Sequence, residues 1–439
     1  MKRPPWLERL TTRGGVLRSV AVLVGGTAFA HAITALALPV LTRLYSPADF
    51  SVLAVLASVL AVISVAACLR LDVAIALPES DHQAFDLLVL ALACAAGVSM
   101  MCGAVVLFAP GWFASTIGRP DIESYLWMIP IGVLLAGAYS ALQNWFVREK
   151  QFNLIARSRV VQSGASAGTQ IGMSGLASAP IGLLVGYLLN TGAACIGLGY
   201  QLVRQQRTRR NGQGINVARL KQAWKDHDRF PKYSTWDALC NSAAIQVPVI
   251  MIAALAAGPE AGYLLLAMSV IQAPMSLFGT AIGQVYLSRA PQAYRDGQLA
   301  SFTKQVLGGL IKAGVGPLLL MGALSPFLFG FVFGEEWERA GVLVAWMTPW
   351  FVMQFLASPI SMAMYITGKQ QTVFLLQVSG LAFRVIAVWL ASKLPNAPLT
   401  EAYAVSGTTF YAVYLWLILR SVKDKTSHCP TLTPNEETH

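Results

Sequence analysis

The chain has 439 residues, of which 55% are hydrophobic and only 12% are charged, and its formal net charge is +11. No segment is polar enough to form a folded soluble domain longer than the roughly thirty-residue stretch 204–234, so any chemistry must take place in a membrane or at its faces. The excess of cations is explained more simply by anionic membrane lipids than by nucleic acid, which we do not expect as a partner.

Twelve apolar stretches follow one another along the chain. Each holds about 20 residues, which is enough for a helix to cross a ~30 Å hydrocarbon core. The sequence therefore predicts an all-α polytopic membrane protein with twelve transmembrane helices. The stretches are 20–42, 50–69, 86–108, 125–146, 160–179, 181–203, 235–256, 261–286, 305–329, 342–366, 372–392 and 400–420.

The basic residues fall on alternate loops. Both chain ends and the loops after even-numbered stretches hold 26 of the 32 Lys and Arg residues, whereas the other loops hold only Arg43, Arg119, Arg339 and Lys393. Because cytoplasmic loops of membrane proteins are enriched in Lys and Arg, this pattern predicts that both termini are cytoplasmic. We expect a multi-pass protein of the bacterial inner membrane.

An internal repeat relates the two halves of the chain. Trp127, Met128 and Pro130 recur 219 residues later as Trp346, Met347 and Pro349, and the pair at 150–151 recurs at 369–370 with the same offset. A looser match pairs Pro39 with Pro248. Because these matches relate each stretch to the one six places later, both copies have the same orientation, which is typical of parallel repeats in transporters.

The repeat divides the chain into three parts. We predict a first six-helix bundle at 1–203, a cytoplasmic basic linker at 204–234, and a second six-helix bundle with a cytoplasmic tail at 235–439. Two similar bundles that rock around a central cavity form an alternating-access transporter.

Two cations lie inside predicted helices. Arg384 is near the middle of the eleventh stretch, and Lys312 is about eight residues into the ninth. A cation at the centre of a membrane helix costs ~3 kcal/mol, so we expect both to face the cavity and to bind an anionic guest, since no Asp or Glu lies deep in a stretch. The alternative for Lys312 is that its long side chain reaches back to the membrane interface.

Uncharged polar residues also occur within the stretches. His31 is at the middle of the first one; it either bonds a neighbouring helix or lines the cavity, where it would bind sugar hydroxyls or take up a proton. Amides in or near the stretches either bridge helices or bind sugar. The amides that we predict as binding residues are Gln143, Asn144, Gln246 and Gln377.

Arg43 and Arg70 end the first and second stretches. Their ordinary role would be interfacial anchoring, and contact with the substrate is the alternative.

Motifs for catalysis and metal binding are missing. The sequence has no GxxxxGK[ST], HExxH or GxSxG motif and no cluster with metal-ligand spacing. We therefore expect neither a catalytic residue, nor a metal site, nor a bound cofactor. The predicted outward loops stay below roughly twenty residues, whereas membrane polymerases and ligases of glycans usually need a long one.

Four strings resemble a known family. They are LPVLTRLYSPADF at 38–50, AIALPES at 74–80, GPEAGY at 258–263 and FGEEW at 333–337. In this order they resemble the bacterial polysaccharide biosynthesis family of lipid-linked oligosaccharide flippases, within the multidrug, oligosaccharidyl-lipid and polysaccharide exporter superfamily. The resemblance extends over nearly the whole chain.

This resemblance implies a function. Members move undecaprenyl-diphosphate-linked O-antigen, capsule or exopolysaccharide repeat units across the inner membrane, driven by H⁺ or Na⁺, and work beside a polysaccharide polymerase and assembly machinery. The expected partners are that glycan and membrane lipids. Two alternatives stay open: a multidrug exporter of the same fold, whose cationic drugs would require buried Asp or Glu, and a membrane polysaccharide polymerase or ligase.

Overall fold

The computed structural model describes residues 5–78, 80–175, 180–208, 216–256, 258–395 and 398–424, with side chains from residue 25 onward except at scattered positions. Within these ranges the chain is helical and contains no strand. The helices of the first half are α1 Pro5–Leu44, α2 Pro47–Ala66, α3 Leu71–Ala74, α4 Asp81–Phe108, α5 Pro110–Ile117, α6 Met128–Arg148, α7 Phe152–Met173 and α8 Ile181–Thr208.

The linker and the second half continue in the same way. The linker contributes α9 Val217–Asp226, which is held against α4 by an ion pair between Arg219 Nε and Asp86 Oδ2 at 3.6 Å. The second half consists of α10 Thr235–Leu255, α11 Glu260–Arg295, α12 Leu299–Leu310, α13 Gly316–Phe333, α14 Glu338–Ala357, α15 Met362–Ile366, α16 Gln370–Ala391 and α17 Leu399–Asp424.

Local sequence accounts for several helix ends. Helix α2, for example, begins with a capping box: the Asp49 backbone N–H donates to Ser46 Oγ at 3.3 Å, and the Ser46 backbone N–H donates to Asp49 Oδ2 at 2.9 Å. Pro47 follows at the first helical position, where its missing N–H costs nothing. The result is a sharp turn between α1 and α2.

The prediction of an all-helical, polytopic membrane protein is confirmed. Within the described residues, each apolar stretch falls mainly on one long helix or on helices joined by a short turn, and nine helices there are long and apolar enough to cross a membrane. The number twelve and the boundaries of the two bundles stay predictions.

The packing of the first half recurs in the second. Helix α1 packs on α7, α7 on α8, α8 on α6, and α6 on α4 and α2. In the same order α10 packs on α16, α16 on α17, α17 on α14, and α14 on α13 and α11. The repeated residues also match in burial, because Trp127 and Trp346 are 53% and 48% exposed while Met128 and Met347 are fully buried.

The helices end alternately at two faces. We call the face at residues 45–46, 109–127, 174–175, 180, 256, 258–259, 334–337, 392–395 and 398 the acidic face. We call the opposite one, with residues 149–151, 216–234, 296–298 and 367–369, the basic face.

The two halves join through a buried apolar cluster near the acidic face, which we call the seam. The contacts between the halves in this cluster include residues of α1, α2, α10, α11 and α14 together with Trp337, and further helices of each half extend it. The Trp337 indole is 1% exposed, donates from Nε1 to the Thr42 carbonyl at 3.0 Å, and meets the Phe50 ring edge-on at 4.8 Å. Trp337 belongs to the second half and Thr42 and Phe50 to the first, so the seam closes the acidic face.

Arg119 adds a polar contact between the halves. Its Nη1 donates to Ser51 Oγ at 3.0 Å and to the Ala253 carbonyl at 3.2 Å, while Nη2 pairs with Asp121 at 2.6 Å. The hydrogen bond from Arg119 lowers the pKa of the Asp121 carboxyl. A lowered pKa favours the ionised carboxylate in the folded state. The contact between Arg119 and Asp121 is therefore present at neutral pH and weakens as the pH falls through the lowered pKa of Asp121.

Toward the basic face most of the buried apolar packing lies within one half. The other large buried clusters of the described residues each contain one half alone: one is built on α4, α6 and α8 with Ala223 of α9, and another on α11, α15 and α17. Helix α10 stays in contact with α2 there, because Ser242 Oγ donates to the Ala61 carbonyl at 3.1 Å. The halves are therefore joined through the seam at the acidic face, and toward the basic face each also has a core of its own.

Removal of Trp337 tests the seam. In a cysteine-free background with one cysteine at Leu41, which is 5% exposed, we expect Trp337→Ala to raise the alkylation rate about tenfold or more, because a lost core Trp costs ~3–5 kcal/mol. The matched control is Trp346→Ala in the adjoining helix α14, which should change little. Equal rates in the two variants would contradict closure by Trp337.

Candidate functional site

A polar cavity of about 580 Å³ lies above the seam. Leu38 belongs both to its wall and to the seam, so the seam forms the floor. Along α1 the wall extends from Leu38 to Thr27, about 16 Å at the rise of an α-helix. The lining residues are Thr27, Ala30, His31, Thr34, Ala35, Leu38, Tyr139, Gln143, Arg159, Gln162, Ser163, Asn190, Ser269, Gln272 and Ala273.

Helical spacing places the polar groups of the wall in rows. On α1, Thr27, His31 and Thr34 recur every three or four residues and so share one face of the helix. Helices α6, α7 and α8 complete the wall from the first half, and α11 closes it from the second. Amide and hydroxyl groups predominate among its polar side chains, and the described lining contains no Asp or Glu.

Arg159 is the cation of this wall. It lies seven residues inside α7, and its Nη1 donates to Thr27 Oγ1 at 2.6 Å. A close approach of α1 and α7 makes this contact possible, because a Cβ at Gly26 would lie only 2.6 Å from the Cβ of Ala156. Among the described residues no carboxylate lies within ion-pair distance of Arg159.

The sequence missed Arg159 for an identifiable reason. The apolar stretch begins only at residue 160, which assigns Arg159 to the preceding loop, but α7 begins at Phe152. The start of α7 directly after Lys150-Gln151 shows that Arg159 lies within the helix, and hydropathy does not show this. The first two turns of α7, residues 152–159, therefore precede the apolar stretch but belong to the same helix.

His31 and Gln143 are the two predicted site residues that the structure brings into the cavity. Both are half-buried. Their contact with a substrate stays a prediction.

Arg384 lies in different surroundings. It is 1% exposed and packs inside the second half, with its guanidinium carbon 4.6 Å from the Phe410 ring centre, 5.2 Å from Trp350 and 5.7 Å from Tyr411. It is not part of the cavity wall, contrary to our expectation of where its side chain would face. The physical reason is that aromatic faces attract a cation and replace the water or anion that we assumed it required.

Lys312 lies outside the cavity wall as well. It is exposed and sits in a π-helical turn, Ile311–Val315, between α12 and α13. This placement suits a side chain that extends to an interface.

Arg43 and Arg70 lie at opposite faces. Arg43 is exposed and lines a separate acidic-face cleft of about 480 Å³ together with Glu335 and Glu336. Arg70 is half-buried after α2, in the left-handed conformation with φ 59°, and its Nε has no hydrogen-bond partner. The two residues do not share a site.

The remaining predicted amides do not line the cavity. Asn144 donates from Nδ2 to the Ser140 carbonyl at 3.0 Å, which is a bond within its own helix. Gln246 and Gln377 are half-buried in the second half.

A buried carboxylate lies near the cavity wall. Asp72 is 6% exposed and accepts a hydrogen bond from Ser140 Oγ at 2.5 Å. Ser140 directly follows the cavity residue Tyr139, yet Asp72 itself is not in the wall.

Comparison with known structures shows the fold. The chain aligns with a multidrug resistance MATE family transporter of the MOP superfamily in its inward-facing conformation, at TM-score 0.69 and 12% identity over 92% of this chain and 95% of that one. It aligns equally well with the lipid II flippase MurJ in an inward closed conformation, at 0.69 and 13% identity over 92% and 90%. An outward-facing MATE structure gives 0.53 at 13% identity over 93% and 95%.

Sequence comparison gives the family. No curated protein matches the chain. A family model described as polysaccharide biosynthesis protein matches residues 40–341, well over half of the chain and including α2 through α13. The protein is thus a member of the polysaccharide biosynthesis protein family, built on the fold of MOP-superfamily transporters.

Proposed function

We propose that this protein is a flippase that moves undecaprenyl-diphosphate-linked oligosaccharide repeat units across the bacterial inner membrane. The observation that carries the proposal is a polar cavity, floored by the seam, whose cation Arg159 has no carboxylate partner among the described residues. The family supports a role in polysaccharide assembly.

The charge of the wall favours an anionic guest. A cation inside the membrane region costs ~3 kcal/mol unless water or an anion accompanies it. The planar guanidinium of Arg159 binds two phosphate oxygens at once, so it suits a diphosphate. The hydrogen bond from its Nη1 to Thr27 Oγ1 holds the guanidinium of Arg159 in one orientation at the cavity wall.

The rest of the wall favours a glycan. His31, Gln143, Gln162 and Asn190 offer donors and acceptors without net charge, as sugar hydroxyls require. The cavity of about 580 Å³ is within the usual range of ligand pockets. In this arrangement the polyprenyl tail stays in lipid and only the head group enters.

The direction of transport follows from the two faces. The basic face is cytoplasmic by the positive-inside rule, and the seam closes the opposite face. Substrate then loads from the cytoplasm, and release requires the seam to part. Coupling of this step to H⁺ or Na⁺ remains part of the proposal, without an assigned residue.

The multidrug alternative is disfavoured by the same wall. Its described lining has no Asp or Glu to attract a cationic drug. Arg384 and Lys312 are left out of the binding set proposed here, because neither lines the cavity.

Substitution of Arg159 tests the binding role. In proteoliposomes with a fluorescent lipid-linked oligosaccharide, we expect Arg159→Gln to reduce flipping about tenfold or more at subsaturating substrate, since a charge-assisted hydrogen bond is worth ~1.5–3 kcal/mol. The control is Arg157→Gln, an exposed arginine of the same helix outside the cavity wall. Loss of activity in both variants alike, or in neither, would remove Arg159 from the substrate route.

Cysteine labelling tests the direction of opening. In a cysteine-free background we expect Thr34→Cys, inside the cavity, to react with a membrane-impermeant maleimide in inside-out vesicles and not in intact spheroplasts. A cysteine at exposed Arg43 should show the reverse pattern. Reaction of Thr34→Cys from the periplasmic side alone would contradict the proposed orientation.

A deletion strain separates a flippase from a polymerase. Without the protein, lipid-linked single repeat units should accumulate in the cytoplasmic leaflet, because assembly stops before translocation. Leaflet-selective enzymatic labelling measures this. Accumulation in the outer leaflet would instead indicate a polymerase.

A further inference from the structure

Helix α10 contains a backbone defect at Pro248. Proline has no N–H, so the carbonyl of Ala244, four residues earlier, loses its helical hydrogen bond. The proline ring also displaces neighbouring carbonyls at a kink. Inside a membrane, groups freed in this way must find partners within the protein.

Two side chains from other helices occupy these positions. Arg384 on α16 donates from Nη1 to the Ala244 carbonyl at 3.0 Å. Tyr403 on α17 donates from Oη to the next carbonyl, that of Ile245, at 2.9 Å. Arg384 therefore bonds the carbonyl that a proline at position 248 leaves without its helical donor, and Tyr403 bonds the carbonyl next to it.

The charge of Arg384 needs no substrate in this arrangement. Three aromatic rings surround the guanidinium, and no carboxylate among the described residues pairs with it. Its Nε and Nη2 have no conventional acceptor, which is consistent with contact to ring faces. At 1% exposure the group is part of the packed interior.

The equivalent proline in the first half has different surroundings. Pro39 of α1 corresponds to Pro248 and frees the carbonyl of Ala35. Ala35 lines the cavity, and among the described residues no side chain donates to it. In the first half the carbonyl freed by proline, that of Ala35, thus lies beside the cavity. In the second half the equivalent carbonyl, that of Ala244, accepts a hydrogen bond from Arg384.

We infer that Arg384 and Tyr403 are positioning residues: Arg384 binds the carbonyl that Pro248 leaves without a donor, Tyr403 binds the adjacent carbonyl, and together they fasten α10 to α16 and α17. Helix α10 carries contacts of that half with α2, because Ser242 Oγ donates to the Ala61 carbonyl at 3.1 Å and Val249 and Ile252 lie in the seam. Fastened in this way, the residues that α10 contributes to the seam move with the second half.

A double-mutant cycle tests the inference. The four proteins are the unaltered chain, Arg384→Met, Pro248→Ala and the double variant, and the readouts are melting temperature in detergent and the kcat and KM of transport. The Pro248→Ala substitution supplies the missing N–H to the Ala244 carbonyl. We therefore expect the loss of melting temperature caused by Arg384→Met to be about threefold smaller in the Pro248→Ala background.

Two controls sharpen the result. Pro39→Ala restores an N–H at the equivalent position of the other half and should not reduce the effect of Arg384→Met. Arg384→Lys keeps one donor and should retain most of the stability. In transport, Arg384→Met should lower kcat and leave KM unchanged, whereas a substrate contact would raise KM.

The melting temperatures of the four proteins decide the inference without knowledge of the transported substrate. Equal losses from Arg384→Met in the unaltered and the Pro248→Ala backgrounds would overturn the inference. So would an unaltered melting temperature in Arg384→Met, or rescue by Pro39→Ala to the same extent. If Arg384→Met alone does not fold, recovery of a folded double variant supports the inference and its failure to fold refutes it. If the flippase proposal failed, the melting temperatures expected for the four proteins of the double-mutant cycle would stay the same.

Discussion

The structure depends on the rule that a polar group inside a membrane must be satisfied by the protein or by enclosed water. Arg159 and Arg384 both lie within long helices, and neither has a carboxylate partner among the described residues. Arg384 is enclosed by three rings and bonded to a helix carbonyl, so its requirement is met internally. Arg159 has one hydroxyl partner and lines a cavity, so it can bind an incoming anion. The two cations thus have different roles for the same physical reason.

The duplication explains the architecture and also its asymmetry. Equivalent helices pack in the same order in both halves, and the paired residues Met128 and Met347 are equally buried. Polar groups have diverged between the copies: the cavity wall comes mostly from the first half, with only α11 from the second. In our account the first half binds the head group, and the second acts as the rigid body that opens the seam.

Hydropathy and charge predicted the helices well because membrane thickness and lipid charge act on composition directly. His31 and Gln143, for which the sequence left a cavity position and a bond to a neighbouring helix both open, line the cavity, and their contact with substrate stays a prediction. Hydropathy placed Arg159 in a loop, because an apolar stretch marks the hydrocarbon boundary and not the start of α7. Arg384 was misplaced because its aromatic neighbours and the Ala244 carbonyl come together only in the folded protein.

The most direct test of this account is a structure of the purified protein in lipid nanodiscs with undecaprenyl diphosphate. The account predicts phosphate oxygens about 3 Å from the guanidinium of Arg159, with Arg384 still bonded to the Ala244 carbonyl. A diphosphate bound at Arg384, or bound away from Arg159 with the cavity empty, would contradict it.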